Sequence, residues 1–301
     1  MQINIRDVWS VETRTSHLKR AKAIIEKNAK GKVNGLLLAL LPRIRQIVLG
    51  RPIRLRRVIQ DIELFRRNVN SSVFEQFLED CKDVFAYDEF SSKSSNDWNA
   101  YSLCQASKYD LCPYCQQAMA FTIHRDSDGK AFRPTLDHFY PKSQYPYLSL
   151  SLYNLIPCCH TCNSSLKGQT DFFMREHLHP FEDEEIVRYG CDIGSYLDGN
   201  LAAITIMPPP ESHARRTASE NSIDTFLLAE RLTLNSHGLA RFAKNLHFYR
   251  GGHLSHLNMV LHDVLPSGFS EAELLQFSNS NYKNEWLGRI KSDLYLAFGY
   301  T

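Results

Sequence analysis

Two Cys-x-x-Cys pairs stand in this chain, Cys112-Pro113-Tyr114-Cys115 and Cys159-His160-Thr161-Cys162. Each pair can present two thiolates to one metal from a tight turn, and the two together complete the tetrahedral set that zinc prefers. Pro113 fixes its backbone angle directly after the first ligand, which favours such a turn. Cys158 competes with Cys159 for the third place, but only Cys159 has the two-residue spacing to Cys162. The ligand set is therefore Cys112, Cys115, Cys159 and Cys162. Ordinary buried cysteines behave as small hydrophobes. That reading suits Cys81, Cys104 and Cys191 and suits the paired spacing poorly. A redox use of Cys-x-x-Cys needs a βαβ setting, and nothing around either pair reads as one. The pairs are far apart in sequence, so the expected zinc staples a larger element rather than a small finger.

Between and just after the pairs lie Leu136-Asp137-His138-Phe139, then Asn154, then Asn163 directly after Cys162, then Lys167-Gly168. An Asp-His, an Asn, and Cys-x-x-Cys-Asn with a following Lys together resemble the HNH endonuclease family and its ββα-metal fold. Within that family they resemble its four-cysteine branch. The resemblance covers residues 112–168, less than a fifth of the chain. It implies that Asp137 and Asn163 hold one divalent cation, Mg²⁺ or Mn²⁺, against a scissile phosphate. It implies that His138 is the general base and that Asn154 braces the loop carrying it. Many relatives have Gly directly after the first Cys pair, where this chain has Gln116.

The chemistry of the residues agrees. Hydrolysing a phosphodiester needs an activated water and charge stabilisation at the leaving oxygen. A neutral imidazole accepts a proton at physiological pH. Carboxylate and amide oxygens suit a hard cation such as Mg²⁺, whereas four thiolates suit Zn²⁺. One structural and one catalytic metal are therefore expected in one motif.

The elements that must position these residues follow from pattern. Phe132 to His138 reads as a strand, residues 139–153 as a loop, Leu155 to Pro157 as a second strand, and a short helix runs from Cys159 toward Lys167. Asp137 and His138 point to opposite faces if the first strand is regular. Thr122-Ile123 and Ala131-Phe132 flank Asp126-Ser127-Asp128-Gly129 as a hairpin. Upstream, helices are expected at 13–30, stopped by Gly31, and at 35–49, kinked by Pro42. Gly50-Arg51-Pro52 reads as a turn before a helix from Leu55 to Phe65. Ser71-Ser72 reads as the cap of a helix reaching Val84, and residues 98–107 form a further helix. Downstream, a strand is expected at 201–207 and helices at 222–232, 239–249, 270–277 and 284–297. His177 and His179 read as loop residues beside Pro180. The fold class is α+β: a mainly helical protein around a central zinc-stapled ββα-metal core. Three regions are expected: a basic helical region at 1–97, the core at 98–182, and a mainly helical region at 183–301.

Apolar content of 43 % and charged content of 23 % are ordinary for a soluble globular protein. Eight cysteines, half of them in a metal pattern, point to a reducing cytoplasm. The first residues lack the apolar stretch of a signal peptide, and the run Leu36 to Leu41 is too short to span a bilayer. The net charge of +2 hides an asymmetry. Residues 1–68 hold sixteen Lys or Arg against five Asp or Glu, and the rest of the chain is net acidic. A basic segment beside a nuclease-like motif suits a polyanion. Arg54, Arg56 and Arg57 are the expected backbone-phosphate contacts, with Lys142 and Lys167 as secondary ones. Their other reading is pairing with Asp61, Glu63 and the acidic remainder.

The expected function is metal-dependent cleavage of DNA, with phosphates and shape dominating over base reading. RNA stays open as the substrate. A zinc-stapled binding module without catalysis is the alternative, though such a module need not keep Asp137, His138 and Asn163. Standalone proteins of this kind resemble bacterial anti-phage effectors such as the Septu systems. That resemblance implies a gating partner, an ATPase or a second copy of the chain.

Overall fold

The computed structural model describes residues 2–92, 97–124, 130–192, 194–195, 198, 204–250 and 252–300. The chain is α+β and mainly helical, with three small two-stranded antiparallel sheets among the described residues. None of its described helices is long and apolar enough to cross a membrane. It divides into two compact units. The larger holds residues 4–112 and 119–183, and the smaller holds 1–3, 113–118 and 184–301.

In the larger unit α1 spans Val11–Asn28. It starts earlier than its apolar pattern suggests because Ser10 caps it, accepting from the Thr13 N–H at 3.1 Å. Leu18, Ala21, Ile24 and Ile25 form its buried stripe. Pro42 breaks the next segment as expected. α2 (Gly35–Leu40) passes through a 3₁₀ turn at Leu41–Arg43 into α3 (Ile44–Val48), because proline cannot donate to the helical ladder. α4 spans Pro52–Arg66. Pro52 is its first residue rather than part of a separate turn, since a missing N–H costs nothing there. α5 spans Ser71–Val84 and is capped by Asn70, whose side chain accepts from the Ser72 N–H, not by the serines. α6 (Tyr87–Ser91) and α7 (Ala100–Gln105) follow.

The strand expected over 132–138 is two strands. β1 (Ile123–His124) pairs antiparallel with β2 (Ala131–Phe132), Ile123 facing Phe132. The hairpin tip at 126–129 lies outside the described residues. Pro134 then interrupts pairing. β3 (Thr135–His138) pairs antiparallel with β4 (Leu155–Cys158), placing Asp137 opposite Ile156 and His138 opposite Leu155. After β4 the chain forms a π-helical turn over Thr161–Lys167, closed by Gly168 N–H donating to Asn163 O at 2.9 Å. Such wide turns re-aim side chains and recur at functional sites. His177 and His179 are buried, with rings stacked on Phe172 and Phe139 respectively. They are core residues.

His17 on α1 is also fully buried, and Nε2 donates to the Leu150 carbonyl at 2.9 Å. Burial holds its pKa down at about 4, against the raising effect of that hydrogen bond. An unfolded histidine titrates near 6.5. Between these values the unfolded chain binds the extra proton, so stability is complete above pH ~6.5 and falls as pH drops toward 4. The contribution is about 3 kcal/mol. Urea unfolding at pH 7 and pH 5 should show this slope in the wild type and a shallower one in His17→Gln. Equal slopes would show that His17 titrates normally in the fold.

In the smaller unit β5 (Arg188–Cys191) pairs antiparallel with β6 (Ile204–Met207). Residues 201–203 of the expected strand lie outside the described residues. Helices occupy 216–225, 228–234, 236–249, 253–261, 271–275 and 288–297. The last is pinned to β5 by Asp293, which accepts from the Tyr189 N–H at 2.9 Å and pairs with buried Arg289 at 2.8 Å. Gly288 opens that helix because a Cβ there would lie 1.8 Å from the Tyr282 carbonyl.

Candidate metal centre and hydrolytic cavity

Cys112, Cys115, Cys159 and Cys162 are all buried, and their sulfurs lie within 4.8 Å of one another. A zinc tetrathiolate has bonds of about 2.3 Å, hence edges of about 3.8 Å. The cluster can therefore close on a metal such as zinc with small side-chain shifts. Two backbone N–H groups already point at sulfur: Gln117 N at 3.5 Å from Cys115 Sγ, and Cys162 N at 3.4 Å from Cys159 Sγ. Such bonds favour thiolate over thiol. Cys158 is excluded from the set. It is buried on β4 beside Thr135 Oγ1, and burial pushes its thiol pKa well up.

Gln116 explains the departure from glycine after the first pair. Its φ is 48°, the left-handed region that a glycine would occupy freely. For a residue with a Cβ this costs about 1–2 kcal/mol. The side chain offsets the cost: Oε1 accepts from Arg289 N at 2.7 Å and Nε2 donates to the Tyr282 carbonyl at 3.0 Å. The residue is fully buried, so these bonds are shielded from water.

A cavity of about 900 Å³ in the larger unit is lined by Asp137, His138, Asn163, Lys142 and Lys167, among others. Sheet, loop and π-turn bring these sequence-distant groups together. His138 closes β3, and its Nε2 donates to the Ser149 carbonyl at 3.0 Å. That bond assigns the tautomer and leaves Nδ1 as an acceptor lone pair. Among the described residues Nδ1 has no hydrogen-bond partner. Ser149 is itself fixed, its Oγ donating to the Phe85 carbonyl at 2.8 Å. Tyr87 packs edge-on against the imidazole with centroids 4.5 Å apart. Burial drives the His138 pKa down to about 3, and the charges of Lys142 and Lys167 push the same way against the Ser149 hydrogen bond. The ring is neutral at physiological pH.

Asn154 clamps the chain that follows His138. Its Oδ1 accepts from Tyr140 N at 2.8 Å, and its Nδ2 donates to Tyr140 O at 3.1 Å and Leu148 O at 3.2 Å. Its own carbonyl accepts from Phe139 N at 3.0 Å. Asn163 sits in the π-turn, half-exposed to the cavity, and its amide side chain makes no hydrogen bond among the described residues. The same cavity wall carries the Asp137 carboxylate, whose Oδ1 is bonded to Lys167 Nζ at 2.7 Å, and carboxylate and amide oxygens are the donors that suit a hard divalent cation.

The structure sets the five phosphate-contact candidates in different surroundings. Lys167 is buried, not a surface cation: its Nζ bonds to Asp137 Oδ1 at 2.7 Å and to the His138 carbonyl at 2.6 Å. Its role here is to neutralise Asp137 and hold the end of β3. Arg56 is half-buried and 3.5 Å from Glu182, so its charge is engaged within the fold. Lys142 is exposed at the cavity rim, above the Tyr87 ring and 3.5 Å from Asp88. Arg54 and Arg57 are exposed on α4. Sequence reasoning passed over Ser149 and Tyr87, which hold His138. A serine in a Leu-Ser-Leu-Ser run and a tyrosine far upstream carry no motif signal.

No family model matches the chain, and no solved structure matches it. Protein ea31 of Escherichia phage lambda is 29% identical to it over 96 residues. That stretch is 31% of this chain and 32% of the phage protein, so the similarity spans about a third of each.

Proposed function

We propose that the chain is a metal-dependent endonuclease of the HNH type that hydrolyses phosphodiester bonds in DNA. The observation that carries this reading is one cavity lined by Asp137, His138 and Asn163 in which, among the described residues, the imidazole Nδ1 has no hydrogen-bond partner.

His138 accepts the proton of the attacking water at Nδ1 while Nε2 stays bonded to Ser149. Ser149, Tyr87 and the Asn154 clamp keep the ring from rotating, so the lone pair is aimed before substrate arrives. Lys142 at the rim attracts the phosphate. Asp137 and Asn163 would hold Mg²⁺ or Mn²⁺, which stabilises negative charge on the phosphate and the leaving oxygen when bound. The thiolate cluster fixes the turn that carries Asn163 and Lys167. A zinc held there would be structural, since the four cysteines would fill all four of its positions.

Supercoiled plasmid incubated with zinc-loaded protein should be nicked in Mg²⁺ or Mn²⁺ and left intact in EDTA. Cutting that persists in chelator, or cutting confined to RNA, contradicts the proposal.

A further inference from the structure

The larger unit carries a second concavity, of about 860 Å³, whose walls are arginine-rich. α1 contributes Arg14, α3 Arg45, the residue before α4 Arg51, and α4 itself Arg54. No Asp or Glu lines it. Among the described residues, none of the four arginines enters a salt bridge, whereas Arg20, Lys32 and Arg56 elsewhere in the unit pair with Asp97, Asp80 and Glu182. Glu12, on α1, feels the charge of Arg14 but accepts hydrogen bonds from Ser10 and its own backbone, outside the groove wall.

The arrangement is built rather than accidental. Gly50 joins α3 to α4 with no room for a side chain, since a Cβ there would lie 2.2 Å from the Gln46 carbonyl. That tight joint places Arg45, Arg51 and Arg54 on one side. The Arg51 guanidinium lies 4.2 Å from the centroid of the Tyr153 ring, which fixes its plane. Tyr153 precedes Asn154, the residue that clamps the chain behind His138. Groove and cavity are thus anchored on the same turn at residues 152–154.

Four guanidinium groups gathered on a wall with no acidic residue among the described lining repel one another, and a polyanion relieves that repulsion. Their planar forks match phosphate oxygens. We propose that this groove binds the phosphodiester backbone of duplex DNA and holds the substrate outside the cavity. The inference deepens the nuclease reading by stating which surface retains the DNA. It replaces the α4 arginines alone with a groove formed by three helices.

The test is binding of a short labelled DNA duplex to zinc-loaded protein with no Mg²⁺ or Mn²⁺ added, followed by fluorescence anisotropy at rising NaCl. The variant is Arg14→Ala/Arg45→Ala/Arg54→Ala, with Arg51 kept because it packs on Tyr153. Losing three phosphate contacts lowers the log–log salt slope by about 2.7 and weakens binding roughly 100-fold at 0.15 M salt. Unchanged thermal unfolding confirms that the variant is folded, and the corresponding triple Lys variant should recover most of the affinity. Equal binding by wild type and triple Ala variant overturns the proposal. So does a wild type that binds polyglutamate or duplex RNA in preference to DNA. No hydrolysis is expected without Mg²⁺ or Mn²⁺, so this readout is separate from cleavage. Unaltered binding removes the groove and leaves the nuclease reading standing. Arginine-dependent binding with no cleavage in Mn²⁺ does the reverse.

Discussion

Replacing His138 by alanine should lower the rate of DNA cleavage by about 100- to 10,000-fold, the usual range for losing a positioned general base. The loss should fall on turnover rather than on DNA affinity, because the imidazole lies in the cavity and the arginines proposed to retain DNA line the other groove. The fold should survive. His138 makes one side-chain hydrogen bond, to the Ser149 carbonyl, and Ser149 remains tied to Phe85 through its hydroxyl. The substitution leaves a buried carbonyl without its partner and a gap beside Tyr87. Together these cost about 2–4 kcal/mol. A loss of that size shows in unfolding curves but leaves most molecules native. A folded variant that still cuts at the wild-type rate would show that the imidazole is a core residue.

The second large effect is expected at the cysteine cluster. Wild-type protein should carry one zinc per chain, and Cys162→Ser should carry none. Four thiolates crowded together without a cation repel each other, and binding of the metal is coupled to ordering of its ligands. Cys162 sits inside the π-turn, one residue before Asn163 and five before Lys167. Loss of the metal should therefore loosen the cavity wall as well as the cluster. A stability loss of about 4 kcal/mol corresponds to a drop of roughly 10 °C in Tm for a domain of this size. Strong chelation of the wild type should reproduce the loss, and zinc should restore it. A Cys162→Ser protein with normal zinc content would mean that the metal, if any, is held elsewhere. An unaltered Tm would mean that the cluster does not stabilise the fold.

The cysteine ligand set was legible because two-residue spacing within each pair is a local property. The segmentation around Pro42 was legible for the same reason: proline acts on its own backbone and that of its neighbours. Helix starts were less so. α4 begins at Pro52, and α5 is capped by Asn70, each a residue or more from the strongest pattern. Pairing across the fold was the least accessible. Lys167 looks like a surface lysine in the sequence, yet β3 and the π-turn bury its ammonium against Asp137. Arg56 looks equivalent to Arg54 and Arg57, but the helical period turns it toward Glu182. Ser149 and Tyr87 gain meaning only when α6 and the segment between β3 and β4 close over His138. The basic character of residues 1–68 was plain, but its concentration into a groove needed the α3–α4 joint and the ring of Tyr153.

DNA hydrolysis is proposed to occur in the cavity holding Asp137, His138 and Asn163. Its most direct test is the rate of plasmid nicking in Mn²⁺ by wild-type and His138→Ala proteins prepared with equal zinc content. Nicking by the wild type is expected, abolished by EDTA and reduced at least about 100-fold in the variant. Equal rates, or an absence of nicking by fully zinc-loaded wild type, would contradict it.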